Sequence, residues 1–132
     1  MCPRRLEHSD YTVGWLCVLD TEIDAARALL DEEDESLPPG LYDDNMYILG
    51  RMGVHNVVIT FTDSYGTSPA TATATNMMRT FPKITFGLMV GVGGGVPNPN
   101  HFGKPEKDIR LGDVVVGDPS DNHGMLLLTL QT

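Results

Sequence analysis

The sequence predicts an α/β fold, a layered α/β/α arrangement in which helices cover a mixed, largely parallel central sheet. Two observations support this prediction. Near-continuous apolar runs such as Val13–Leu19 and Phe86–Val90 are typical of strands that are buried on both faces. Segments with helical spacing lie between the apolar runs, and such alternation is typical of layers built on a parallel sheet. The 132 residues suffice for one domain with a modest core.

The first strand is followed by a predicted helix and then by an acidic segment. Asp20 and Thr21 supply an N-cap, and the apolar residues after them recur at helical spacing, which predicts a helix over residues 21–30. Five consecutive acids occupy positions 31–35. Because like charges repel and prefer water, this segment is predicted to be a solvated loop, with a docking tail as the alternative.

The middle of the chain predicts a hairpin, a second helix and a late strand. Residues 46–49 and 54–61 read as two strands, joined by a turn at the glycine-containing segment 50–53. Ser68 and Pro69 form a helix entry, and the helical spacing of the apolar residues continues until Pro82. The last strand that the sequence predicts covers residues 111–116.

Composition excludes several classes of function. The formal net charge is -9, with eighteen acidic residues against nine basic ones, which disfavours a nucleic-acid partner. The apolar runs are shorter than the ~20 residues that a membrane-spanning helix needs, so no membrane partner is expected. Only Cys2 and Cys17 are present, too few for a disulfide framework, and the start is a poor secretory signal. We therefore expect a reducing compartment, the cytoplasm.

A glycine cluster follows the apolar run that ends at Val90. Ligands of open α/β sheets bind at the carboxyl edge, where glycines let the backbone approach closely. Val96 stands where a dinucleotide fingerprint requires its third glycine, and Gly103-Lys104 is followed by Pro105, which excludes a phosphate-binding P-loop. By itself, such a turn is more often structural than functional.

Glu22 lies just beyond the first strand, in the first turn of the predicted helix, and should face the same edge. Acids in this position usually stabilise the helix dipole, and spacing alone favours that interpretation. The four histidines are scattered without metal-ligand spacing, so no metal site and no cofactor are expected.

Five motifs in order resemble the nucleoside phosphorylase and nucleosidase superfamily. The closest resemblance is to the methylthioadenosine/S-adenosylhomocysteine nucleosidase-like domains at the front of fungal multidomain receptor-type proteins. The resemblance extends from Tyr11 to about Gly124. It is carried by residues 11–22, 47–51, 55–59, 65–67, and 86–97 joined to 108–116.

The resemblance implies cleavage of the N-glycosidic bond of a purine nucleoside, the partner we expect. It implies that Glu22 activates the attacking water, because the Gly-Asp-Pro turn and arginine with which phosphorylases hold phosphate after the first strand are absent at that position. It also implies a substrate-binding role for two loops. The loop that lines the base and sugar contains Gly91, Val92, Gly93 and Gly94. The loop that lies near the ribose contains Tyr65, Gly66 and Thr67.

Members of the superfamily run to about twice this length. Their second half supplies a Met-Glu pair for the ribose and an aspartate that protonates the purine, and the sequence after Gly124 departs from the pattern. The resemblance therefore implies a single, truncated domain over residues 1–132 with little activity alone. A non-catalytic nucleoside-sensing or signalling module is the alternative. The resemblance leaves open whether the chain forms a homo-oligomer.

Overall fold

A computed structural model of the chain describes residues 3–18, 20–62, 67–92, 99–104, 112–116 and 126–130. Within these residues the chain forms seven strands, two α-helices and two short 3-10 turns. In chain order they are the 3-10 turn His8–Asp10, β1 Val13–Cys17, α1 Asp20–Ala28, β2 Glu32–Glu33, β3 Tyr47–Met52, β4 His55–Phe61, α2 Thr67–Thr80, β5 Phe86–Val92, the 3-10 turn Pro99–His101, β6 Val114–Val116 and β7 Leu126–Leu130.

The seven strands form one mixed sheet in the order β2-β3-β4-β1-β5-β7-β6. The central neighbours are parallel: β4 with β1, β1 with β5, and β5 with β7. The outer neighbours are antiparallel: β2 with β3, β3 with β4, and β7 with β6. The predicted mixed sheet is confirmed, and its parallel pairs occupy the centre.

The two helices cover opposite faces of this sheet. Val57 and Ile59 of β4 pack with Ala26 of α1, whereas Val58 packs with Met77 of α2. Since successive residues of a strand point to opposite faces, α1 and α2 lie on opposite sides of β4. The layered α/β/α arrangement is therefore confirmed. Neither described helix has the length and apolarity that a membrane crossing requires.

The predicted hairpin and both predicted helices are confirmed, with shifted boundaries. The hairpin turns at Gly53 and Val54, and Gly50 lies inside β3. Helix α1 ends at Ala28, two residues before the predicted end, and α2 ends at Thr80, ahead of Pro82.

The prediction that residues 31–35 are solvated is confirmed for all of them except Asp34, but the prediction that they form a loop is wrong. Glu32 and Glu33 form the edge strand β2, and the side chain of Asp34 is buried. Arginines from other segments neutralise the acids: Arg27 bonds Glu33, and Arg51 lies within ion-pair distance of Glu32. The charge repulsion that argues for a loop is therefore offset by residues distant in the chain.

The prediction that the last strand ends at residue 116 is also wrong. Val114–Val116 is a strand, but Leu126–Leu130 forms another, which lies between β5 and β6. Leu111 lies outside the described residues. The segment contains four leucines and one threonine, and this local pattern does not show that it pairs with β5 and β6. Only the tertiary structure therefore identifies β7.

Candidate functional site

The carboxyl ends of three parallel strands meet at one edge of the sheet. In the register of the sheet, Cys17 of β1 lies opposite Phe61 of β4, and Leu16 lies opposite Met89 of β5. Helix α1 begins at Asp20, three residues after β1 ends, so its first turn lies at this edge. The topology therefore brings Glu22 to the side of the sheet where β5 ends.

The carboxylate of Glu22 joins the ends of two strands. Its Oε2 accepts the backbone N–H of Val18 at 3.0 Å, and its Oε1 accepts the backbone N–H of Val92 at 2.9 Å. Glu22 is half-buried and Val92 is 47% exposed. Because two amide donors hold the carboxylate, its orientation is fixed at a partly exposed position.

Gly91 allows this contact because it has no side chain. A Cβ at residue 91 would lie 3.2 Å from Oε1 of Glu22, which is tighter than ordinary van der Waals contact. The sequence assigns Gly91 and Val92 to a turn, but both belong to β5. The glycine is explained by the close approach of the carboxylate rather than by a turn.

The structure thus brings together three of the predicted site residues, Glu22, Gly91 and Val92. Thr67 is the first residue of α2, which follows β4. Four further predicted site residues lie outside the described part of the chain: Tyr65, Gly66, Gly93 and Gly94.

A buried thiol lies next to this edge, and sequence reasoning gave it no role in the site. Cys17 is 0% exposed, and its backbone carbonyl accepts the N–H of Thr62 at 3.0 Å, which links the ends of β1 and β4. Burial raises the pKa of the Cys17 thiol to about 11, and the negative charge of Glu22 adds to the rise. The thiol is therefore protonated at neutral pH and is a poor nucleophile.

One curated protein similar to this chain is a nucleotide-binding leucine-rich repeat (NLR)-like protein of Hyaloscypha variabilis. The two are 45% identical over 120 residues, which are 90% of this chain and 12% of the relative. No protein-family model matches the sequence.

The solved structures that resemble the chain include a nucleosidase and a hydrolase. The 5'-methylthioadenosine/S-adenosylhomocysteine nucleosidase of Neisseria meningitidis, in complex with methylthio-immucillin-A, has a TM-score of 0.58 at 18% identity. Futalosine hydrolase of Helicobacter pylori has a TM-score of 0.61 at 23% identity. The chain has the nucleosidase fold. The match to the nucleosidase covers 80% of this chain and 39% of the nucleosidase chain. The match to futalosine hydrolase covers 84% of this chain and 42% of the hydrolase chain.

A cleft that the sequence did not predict opens at the same edge of the nucleosidase fold, beside the end of β4. Its volume is about 370 Å³, and it lies between residues 44–46 and the first turns of α2. The cleft was missed because its lining comes from three separate segments of the chain. The lining is Asp44, Asn45, Met46, Phe61, Thr62, Pro69, Ala72, Thr73 and Asn76.

Within the described residues, no three His, Cys, Asp or Glu side chains come together as a metal ion would require.

Proposed function

We propose that this chain supplies the catalytic carboxylate and part of the substrate pocket of a hydrolase that cleaves the N-glycosidic bond of a purine nucleoside. The observation that supports this proposal is the position of Glu22, whose carboxylate is held by Val18 and Val92 at the carboxyl edge of a nucleosidase-fold sheet. Ligands of open α/β sheets bind at this edge.

In the proposed reaction, water adds across the bond between the sugar and the base. The Glu22 carboxylate accepts a proton from the attacking water, and the water oxygen bonds to the sugar carbon as the bond from that carbon to the base nitrogen breaks. The base takes up one proton from an acid or from solvent, and Glu22 then returns its proton to solvent, so the net change is the addition of one water. A positioned general base contributes about 10²–10⁴-fold to such a rate. The amides of β1 and β5 fix the carboxylate before substrate arrives, so little reorganisation is needed.

Fast cleavage needs two further contributions, protonation of the leaving base and stabilisation of the positive charge that develops on the sugar. The chain spans about two-fifths of the solved nucleosidase-fold chains, so the groups that make these contributions are proposed to come from the remainder of the fold. We accordingly expect the 132-residue chain to bind nucleoside and to release base slowly.

The test measures free base released from methylthioadenosine, adenosine and inosine, together with nucleoside binding by calorimetry. Glu22→Gln should reduce the rate of base release at least about tenfold, because an amide is not a base at neutral pH. Asp24→Asn is the matched control, since this residue also lies in α1 but is exposed to solvent. Equal rates in the wild type and in Glu22→Gln would remove Glu22 from catalysis.

A non-catalytic nucleoside-binding module is the second candidate. It is favoured by the engagement of both Glu22 oxygens with backbone amides, a structural role that requires no chemistry. The similarity to an NLR-like protein, of which the match is 12%, is compatible with such a module. Nucleoside binding that is unchanged in Glu22→Gln, without base release from any of the three nucleosides, would favour this candidate.

A further inference from the structure

The segment before β1 lies in an extended conformation along the edge of the sheet, beside β2. The side chains of Arg4, Leu6 and His8 are half-buried, and the residues between them are exposed. This alternation is typical of an extended segment that has one face against the protein. The backbone of the segment joins the sheet where the N–H of Glu35 donates to the carbonyl of Arg4 at 2.7 Å. We call residues 4–8 the strap.

The side chain of Arg4 fills a pocket of oxygen acceptors. Its Nε donates to Oδ1 of Asp34 at 2.8 Å, and its Nη2 donates to Oδ2 at 3.0 Å. The Nη2 also donates to Oδ1 of Asn56 at 3.1 Å. Because a planar guanidinium matches a carboxylate with two parallel hydrogen bonds, the ammonium of a lysine cannot make the same pair. We call Tyr11, Asp34 and Asn56 the guanidinium pocket, since the Tyr11 hydroxyl donates to the same carboxylate at 2.7 Å.

The rest of the strap makes uncharged contacts. Leu6 and Leu37 both pack against the buried cluster that contains Phe81. The Nε2 of His8 lies 2.9 Å from the carbonyl oxygen of Pro38, and the His8 ring lies against Phe81 with 5.3 Å between the ring centroids. Hydrogen bonds between charged groups are about twice as strong as those between neutral ones, so the guanidinium pocket contributes most to holding the strap.

The sheet beneath the strap is held by hydrogen bonds of its own. The N–H of Asp34 donates to the carbonyl of Leu49 in β3 at 2.7 Å, and the N–H of Thr12 donates to the carbonyl of Asn56 at 3.2 Å. Tyr11 is 0% exposed, and its hydrogen bond to Asp34 does not involve the strap. An empty guanidinium pocket therefore keeps one donor for its carboxylate, and the pairing of the sheet does not depend on the strap.

The charge around the guanidinium pocket favours a cationic ligand. The negative charge of Glu32 acts on the Arg4 guanidinium in addition to that of Asp34. The chain as a whole carries a formal charge of -9, which attracts basic segments from a distance. An arginine is therefore the side chain that this pocket fits by both its shape and its charge.

We propose that the strap is an intramolecular ligand of a peptide-binding site: it opens while the sheet stays folded, and an extended, arginine-bearing segment of a partner protein takes its place. The partner's arginine occupies the guanidinium pocket, and its backbone lies parallel to the chain at Asp34, as that of Arg4 does. An apolar side chain two residues later takes the position of Leu6. Peptides that add to a sheet edge are recognised in this way, by backbone hydrogen bonds and by alternate side chains.

Two adjacent amides distinguish opening of the strap from unfolding of the sheet. The N–H of Glu35 is bonded to the strap and the N–H of Asp34 is bonded to β3, both at 2.7 Å. We therefore expect amide hydrogen exchange of the 132-residue chain, corrected for intrinsic rates, to be faster at Glu35 and less sensitive there to low concentrations of urea. Equal rates at the two amides, with equal sensitivity to urea, would show that the strap opens only when the sheet unfolds and would overturn the proposal.

Variants of the strap sharpen this measurement. Arg4→Ala should raise the exchange rate at Glu35 at least about tenfold and that at Asp34 by less, because it removes charge-assisted hydrogen bonds from the strap. Protection that remains at Asp34 shows that the variant is folded. Arg4→Lys keeps the charge without the paired hydrogen bonds and should give an intermediate rate. Arg5→Ala is the matched control and should change the rate at Glu35 by less than about twofold, since Arg5 and Glu35 form an exposed ion pair.

Binding of a partner segment is tested with a peptide of the sequence Pro-Arg-Arg-Leu-Glu-His-Ser, blocked at both ends, which repeats residues 3–9. Added to Arg4→Ala, it should slow exchange at Glu35, because a peptide carbonyl then accepts that N–H. The same peptide with alanine in place of its first arginine should have no effect. In the wild type the tethered strap competes, so a higher peptide concentration is needed. If the arginine peptide leaves exchange at Glu35 unchanged in Arg4→Ala, the proposal is wrong, whereas a failure to release base does not bear on it.

Discussion

Two carboxylates at different edges of the sheet differ in burial and in the kind of donor that holds them. Asp34, near the amino ends of β1 and β4, has a side chain that is 0% exposed, and it accepts hydrogen bonds from Arg4 and from the hydroxyl of Tyr11. Glu22, at the carboxyl edge, is half-buried and accepts hydrogen bonds from the backbone amides of Val18 and Val92.

The difference lies in the donors. The side-chain donors of Asp34 come from residues 23 and 30 positions away, so the carboxylate joins the N-terminal segment to the sheet. Burial and the hydrogen bond to Asp34 raise the pKa of Tyr11, which keeps its hydroxyl a neutral donor. The two described donors of Glu22, at Val18 and Val92, are backbone amides, which are present whatever side chains those residues carry. Loss of Asp34 should therefore affect folding most, and loss of Glu22 should affect ligand chemistry most.

The largest effect on stability is expected for Asp34→Ala. This change leaves the Arg4 guanidinium and the Tyr11 hydroxyl without their carboxylate, and removing one partner of a buried ion pair costs about 3–5 kcal/mol. We expect the lower end of that range, since the Arg4 side chain is 30% exposed. Urea denaturation measures the free energy of unfolding.

The control for that measurement is Glu35→Ala. Glu35 pairs with Arg5 at 3.2 Å, but both side chains are about half exposed, and such surface pairs contribute about 0–1 kcal/mol. Equal losses in the two variants would contradict the role assigned to Asp34.

A smaller, pH-dependent effect is expected for Asp43→Asn. Burial acts to raise the pKa of Asp43, but hydrogen bonds from Thr80, Tyr47 and Asn45 outweigh it and hold the pKa below its ordinary value of 3.8. A lowered folded-state pKa adds stability that is present above pH 3.8 and is lost as the pH falls through the folded value.

The measurement is the free energy of unfolding as a function of pH. The wild type should lose stability on acidification below pH 3.8, and Asp43→Asn should be less stable by about 1–3 kcal/mol at neutral pH and lose less of its stability on acidification. Identical acid profiles would show that Asp43 contributes nothing to the pH dependence.

Glu22→Gln should cost only about 1 kcal/mol of stability, because the site is partly exposed and the side-chain amide keeps one acceptor oxygen. Asp24→Asn, in the same helix, should change the free energy of unfolding by less than about 0.5 kcal/mol. A loss at Glu22 as large as that at Asp34 would reverse the comparison and make Glu22 chiefly a structural residue.

The smallest effect on stability is expected for Gly91→Ala, with Gly87→Ala as its control in the same strand. A Cβ at residue 91 meets Oε1 of Glu22 at 3.2 Å, whereas a Cβ at residue 87 has no atom within 4 Å. We expect Gly91→Ala to displace the carboxylate and to expose the Val92 amide to faster hydrogen exchange. Unchanged exchange at Val92 would show that the contact adapts without loss.

The sequence correctly predicted the elements whose residue pattern matches the position that they take in the fold. The two-sided apolar run of β1 predicts a central strand, and the helical spacing before Pro82 predicts α2. It failed for β2, because the arginines that offset the acidic charge lie elsewhere in the chain, and for β7, whose place depends on its neighbours in the sheet.

At the candidate site the sequence determined the residue types: an acid in the first turn of α1 and a glycine near the end of β5. Only the tertiary structure decided that Glu22 reaches the Val92 amide, 70 residues away, and that Asp34 is buried among side chains from the N-terminal segment. The physical reason is that periodicity and propensity are set by neighbours in the chain, whereas the partners of a polar group are set by which strands lie side by side.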